Sequence, residues 1–126
     1  MRLDVRYANH PEDSKHYTTE ELRKHYLIEK VFIEDEVNLV YSHVDRVIAG
    51  GITPVKESLK LEGCKELGSE YFLERRELGI INIGGNGKVT IDGKVYEVKS
   101  REGLYVGMGA KELIFTSDNE KNPAKF

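Results

Sequence analysis

A single cysteine, Cys64, leaves this 126-residue chain no means of forming an internal disulfide. That excludes a disulfide-stapled secreted scaffold and points to a reducing compartment. The thiol sits in Glu62-Gly63-Cys64-Lys65, a loop by composition, with no histidine close in sequence to act as its base. It reads as an incidental loop cysteine, not a nucleophile. Long apolar runs are missing too. No stretch approaches the roughly 20 residues that cross a bilayer, and the start, Met1-Arg2-Leu3-Asp4-Val5-Arg6-Tyr7, lacks the apolar run of a secretory signal. No membrane association and no export are expected, and a cytoplasmic location is. Basic excess is the third absence: 19 Lys and Arg stand against 22 Asp and Glu, a formal charge of −3. The chain therefore offers phosphate backbones and anionic lipid no general attraction, and nucleic acid is not expected as a partner.

What is present fits one globular domain. Hydrophobic residues make up 39% of the chain and charged residues 33%, a balance that leaves little room for long disordered tracts. Residues 1–30 read as a leader and short helix. The first 17 are polar and irregular, and Thr18-Thr19-Glu20-Glu21 then offers a capping box in which Thr18 and Glu21 satisfy each other's backbone donors. In the helix that follows, Leu22 and Tyr26 share a face, which predicts a lid or brace over the open side of a sheet. The mixed charges of Glu20 to Lys24 read as its solvated face.

Residues 31–126 change to short β-branched and aromatic runs punctuated by glycine, which predicts a multi-stranded β domain, a barrel or a sandwich. Strands are expected near 38–41, 44–49, 58–61, 70–73, 79–83, 88–91, 95–98, 104–106 and 112–116. Asp92-Gly93 supplies the two positive φ angles of a type I′ hairpin. Gly84-Gly85-Asn86-Gly87 precedes a strand, not a helix, so it is a turn and not a phosphate loop. Asn122-Pro123-Ala124-Lys125-Phe126 looks extended and ends on an aromatic residue, which predicts a chain cut within a strand.

The run from Ser69 to Gly84 resembles the first cupin motif, in which two histidines and a glutamate precede a glycine. Glu77 and Gly84 have the spacing of that pattern, but Glu70, Tyr71, Phe72 and Leu73 stand where the histidine pair belongs. Gly107-Met108-Gly109-Ala110-Lys111-Glu112 resembles the second motif, with Glu112 at its histidine position. A catalytic transition-metal site normally takes three protein ligands with imidazole among them. A pair of carboxylates does not meet that need, and no metal site is expected in this chain. His10, His16 and His25 fall in the leader and helix. His43 differs: a strand through Tyr41-Ser42-His43-Val44-Asp45-Arg46 would put His43 and Asp45 on one face and Arg46 on the other. That face suggests either an acid–base pair or a hydrogen-bonded interface, which makes His43, Asp45 and Arg46 the catalytic candidates.

Longer strings resemble one family in particular, the 5-keto-4-deoxyuronate isomerases, also called 4-deoxy-L-threo-5-hexosulose-uronate ketol-isomerases. They are Glu29-Lys30-Val31-Phe32, Tyr41 to Arg46, Gly50-Gly51-Ile52, Tyr71 to Gly79, Ile81 to Gly85, Leu104 to Gly107, Gly109 to Glu112 and Pro123 to Phe126. The resemblance implies a cupin-type double-stranded β-helix (jelly-roll), the amino-terminal half of a two-barrel protein. It also implies one zinc per full-length subunit, held by three histidines and a glutamate in the other half, and a homohexamer. The implied reaction interconverts 5-dehydro-4-deoxy-D-glucuronate and 3-deoxy-D-glycero-2,5-hexodiulosonate in pectin breakdown. For such a sugar acid an arginine fork is a natural anchor, with Arg75 and Arg76 as candidates beside Arg46. Consecutive strand residues point to opposite faces, so at most one of the pair can face the interior. The alternative is a non-catalytic cupin module for oligomer assembly or carbohydrate binding.

Overall fold

The computed structural model describes residues 1–126. Nine strands, two short α-helices and one 3-10 turn (Lys65–Leu67) make the chain mainly β, in keeping with the cupin-like expectation. No helix is long and apolar enough to cross a membrane.

Three sheets enclose one core. In the first, β1 (Arg2–Arg6) pairs parallel with β2 (Val37–Ser42), which pairs antiparallel with β3 (Val47–Ile52). In the second, β4 (Leu59–Lys60), β9 (Leu113–Ser117), β6 (Gly87–Ile91) and β7 (Lys94–Val98) lie side by side in that order. The third pairs β5 (Leu78–Ile81) with β8 (Gly103–Val106). Each sheet sends side chains to the same centre: Leu39 and Ile52 from the first, Val89 and Phe115 from the second, Ile80 and Val106 from the third. Burial of this apolar set is the main force holding the sheets together.

Local chemistry explains the clearest elements. Asp92 and Gly93 have φ of 46° and 82° and join β6 to β7 with Ile91 opposite Lys94, which is the expected primed turn. The Asp92 carboxylate also accepts the backbone N–H groups of Lys111 and Glu112, fixing the entry to β9. Helix α1 (Pro11–Ser14) precedes α2 (Thr19–Tyr26), and α2 opens with the expected capping box: Glu21 N–H donates to the Thr18 hydroxyl and Thr18 N–H to the Glu21 carboxylate. Leu22 and Tyr26 are nevertheless exposed and α2 buries nothing. It lies beside the outer face of the first sheet without packing an apolar stripe onto it.

Several local expectations are corrected. Residues 2–6 are not irregular but form β1. Their partner lies far along the chain, so no turn signal announces the pairing. Residues 70–73 form no strand. Phe72 and Leu73 are buried, but they are anchored from a loop, where Gly109 N–H donates to the Leu73 carbonyl. Strand β3 starts at Val47, not Val44, because residues 43–46 turn, with Asp45 and Arg46 at φ of 56° and 53°. Positive φ at two non-glycine residues leaves no glycine in the sequence to mark the turn.

Segment 123–126 lies extended between two sheets. Phe126 exchanges both backbone hydrogen bonds with Ile52 of β3, at 2.9 and 3.0 Å, while Ile83 and Gly85 donate to the carbonyls of Lys125 and Pro123. Glycines permit this approach: a Cβ on Gly84 or Gly85 would meet backbone oxygens of Pro123 or Asn122 at 2.5 and 2.0 Å. Asn82, fully buried, clips the junction. Its amide donates to the carbonyls of Gly85 and Val98, and its oxygen accepts from the N–H groups of Gly84 and Lys125. Every hydrogen-bonding position of this buried side chain is filled, as burial requires.

Candidate functional site

A mainly apolar cavity of about 650 Å³ opens between β3 and β5. Its walls are strand side chains such as Ile48, Leu78 and Ile80, and its floor reaches Phe72 and Phe115. Charge enters at one end only. Arg46 arrives from the β2–β3 turn, and Arg76 and Glu77 from the residues just ahead of β5. A mostly apolar concavity with a few converging polar groups is the usual form of a small-molecule site.

Arg76 is held from behind. Its guanidinium carbon lies 5.4 Å from the ring centre of the buried Tyr41, within reach of the attraction between a cation and an aromatic face. Tyr41 in turn meets the His43 ring at 4.7 Å, and His43 stacks on Tyr7 at 4.8 Å. The row Tyr7, His43, Tyr41, Arg76 thus links the residue after β1, the β2–β3 turn, β2 and the segment before β5. Arg75, one residue away, is exposed and lines a separate shallow depression with Cys64 and Glu74.

His43 and Asp45 do not share a strand face. The strand ends at Ser42, and both residues sit in the turn, where the left-handed backbone at Asp45 breaks the alternation that would have paired them. Both are exposed and neither lines the cavity. What sequence reasoning missed is the aromatic contact of His43. Tyr7 is its partner, and that pairing follows from the parallel register of β1 on β2, where Arg6 stands opposite Ser42.

The two carboxylates of the cupin-like motifs are engaged elsewhere. Tyr105 on β8 has its hydroxyl pushed above the ordinary phenol range, chiefly by a hydrogen bond to Glu77, with desolvation adding to it. Glu112 pairs with Lys60 at 3.0 Å, and that hydrogen bond raises the Lys60 ammonium. No group of three or more His, Cys, Asp or Glu side chains is placed to hold a metal ion. The donor set of this chain therefore does not fit a zinc ion, which takes three or four such ligands. The Cys64 thiol is raised, first by burial, which works against the reactive thiolate. The cavity can offer a ligand apolar surface, two guanidinium groups and one carboxylate, Glu77, and its lining holds no imidazole or thiol.

No family model matches the chain. Curated relatives do. A 4-deoxy-L-threo-5-hexosulose-uronate ketol-isomerase of Lachnoclostridium phytofermentans is 54% identical over 124 residues, 98% of this chain and 45% of the relative. A protein of Enterococcus faecalis named 4-deoxy-L-threo-5-hexosulose-uronate ketol-isomerase 2 matches to the same extent, 54% over 124 residues. One from Escherichia coli (strain SMS-3-5 / SECEC) is 53% identical over 126 residues, 98% of this chain and 45% of the relative. The chain spans somewhat less than half the length of these curated relatives. With more than half of its residues identical along nearly its whole length, the chain belongs to the 4-deoxy-L-threo-5-hexosulose-uronate ketol-isomerase family.

Proposed function

We propose that this chain is the metal-free, amino-terminal barrel of a ketol-isomerase that interconverts 5-dehydro-4-deoxy-D-glucuronate and 3-deoxy-D-glycero-2,5-hexodiulosonate in pectin degradation. The observation that carries this reading is the 54% identity over 124 residues to a relative of that name. The conversion moves hydrogen between adjacent carbons within one molecule. It is redox-neutral overall and calls for no nicotinamide or flavin. It does call for a group that takes a proton beside a carbonyl and returns it, and the cavity lining offers one carboxylate for that, Glu77, at the mouth.

The zinc expected of the family is proposed to belong to the remainder of the longer protein, since no group of three or more His, Cys, Asp or Glu in this chain is placed to hold a metal ion. The role left to this barrel is support. Its arginines at the cavity mouth, Arg46 and Arg76, are suited to a substrate carboxylate, and its exposed apolar strand residues to self-association, proposed as a homohexamer in the cytoplasm. The exposure of Ile81, Ile83, Tyr105 and Met108 on this barrel also favours the second reading, a non-catalytic module for assembly or carbohydrate binding.

Zinc content and isomerase turnover, measured side by side on the 126-residue chain and on a full-length form, test both. Zinc and turnover in the longer form alone are expected. Stoichiometric zinc and turnover in the 126-residue chain would overturn the proposal, and inactivity of both forms would leave the binding module.

A further inference from the structure

The apolar cavity has the geometry of a missing strand. Its two long walls are strand edges with no sheet neighbour: β3 pairs only with β2, and β5 only with β8. In antiparallel ladders backbone groups point alternately to either side. On β3, Ile52 directs its N–H and C=O away from β2, to Phe126. The same alternation directs those of Gly50 and Ile48 into the cavity. On the other wall Ile83 donates away from β8, to Lys125, and Ile81 and Gly79 follow in phase. At one end of the cavity, then, a single extended segment, 123–126, already bridges both walls. Beyond it the walls continue side by side without a bridge.

We propose that the groove between β3 and β5 is filled by an extended segment of about five residues, leading on from Phe126 in the longer polypeptide and running antiparallel to both walls. The register is fixed by bonds already present. Ile52 opposite Phe126 and Ile83 opposite Lys125 place the second and fourth following residues opposite Gly50 and Ile48, and the first and third opposite Ile81 and Gly79. Side chains follow the same phase. Phe126 points into the core, its ring 5.4 Å from that of Phe115, so the second and fourth residues point inward as well, towards the buried Ile80 and the partly buried Leu78 and Ile48. Apolar residues are required there and polar ones are tolerated between them.

An occupant continuous with Phe126 is favoured over one from a second copy because the line of the bridging segment aims it into the groove. The curated relatives, of which this chain covers 45%, are more than twice as long as the matched region, and the amino-terminal placement proposed above puts the additional chain after Phe126. With the strand seated, the first and third sheets become one, and Arg46, Arg76 and Glu77 remain at the mouth where the strand leaves. This inference rests on the proposed amino-terminal placement of the chain in a longer polypeptide and not on the proposed reaction.

The test adds Thr-Val-Thr-Val-Thr after Phe126, which puts both valines inward. A control adds Val-Thr-Val-Thr-Val, which puts them outward. A third form, Thr-Pro-Thr-Val-Thr, removes the N–H that would reach Gly50. Amide exchange of Ile48, Gly50, Gly79 and Ile81 should slow by about tenfold or more in the first form only, with amides of β6 and β9 as the measure that the fold is intact. Equal protection by the inward and outward extensions, or none by the inward one, would overturn the proposal. Protection that rises with concentration in the unextended chain would assign the groove to a second copy and overturn it as well.

Discussion

The four-stranded sheet and the β3–β5 seam are built from similar residues yet differ in completeness. In the former, β6 has a partner on each side, with Val89 facing Tyr96 on β7 and Phe115 on β9, and the fully buried Val89, Leu113 and Phe115 form a continuous floor. In the latter, β-branched residues of equal β propensity stand at open edges, and Ile81 and Ile83 are more than half exposed. The difference teaches that strand propensity makes strands, while partners make sheets: the seam holds through one short segment and one asparagine.

Three substitutions sharpen that contrast. The largest effect is expected from Leu73→Ala. Leu73 is fully buried in the common core, and removing such a side chain costs roughly 2–5 kcal/mol. Urea unfolding should show the loss as one cooperative shift, whereas separate transitions for the two regions would break the picture of a shared core. Next comes Asn82→Ala, which orphans the buried carbonyls of Gly85 and Val98 and the N–H groups of Gly84 and Lys125. Each buried orphan costs about 1–3 kcal/mol before relaxation. Amide exchange should quicken at Ile52, Ile83 and Phe126 while β6 and β9 stay protected. Uniform acceleration in both regions would mean that the seam is not a separate unit.

The smallest effect depends on pH. One carboxylate oxygen of Asp35 accepts from the N–H groups of Val55, Lys56 and Glu57, and these bonds, Val55 first, hold its pKa below the ordinary value. A lowered folded pKa contributes stability that is complete above the unfolded value, about 4. That stability is lost as pH falls through the folded value. Asp35→Asn should therefore lower the Tm at neutral pH, and the difference from the parent should shrink in acid. A difference that stayed constant down to about pH 2 would show that the charge is irrelevant.

How much of this was legible follows from where the determinants lie. The Asp92–Gly93 hairpin and the Thr18–Glu21 capping box are written in adjacent residues, and both are present. Strand β2 is also plain, because Val37 to Tyr41, apolar except for Asn38, is buried throughout. The parallel strand β1 could not be read from neighbours, since its register is set against residues 38–42. Phe72 and Leu73 have the composition of a strand but are held as loop anchors, and no local pattern separates the two. For the candidate site, Arg46 and Arg76 were visible as charged residues, but their meeting at one cavity mouth is a product of tertiary packing. The turn at Asp45 and Arg46, made without glycine, is what removed His43 and Asp45 from a common face.

Gly84 and Gly85 show how little matter can hold a fold in phase. A methyl group at either position would collide with the chain passing from Asn122 to Pro123, lift that chain and carry Phe126 out of step with Ile52. Two hydrogen atoms thus act as the clearance gauge of the whole seam, and a fault there would propagate as a slipped register instead of a local dent.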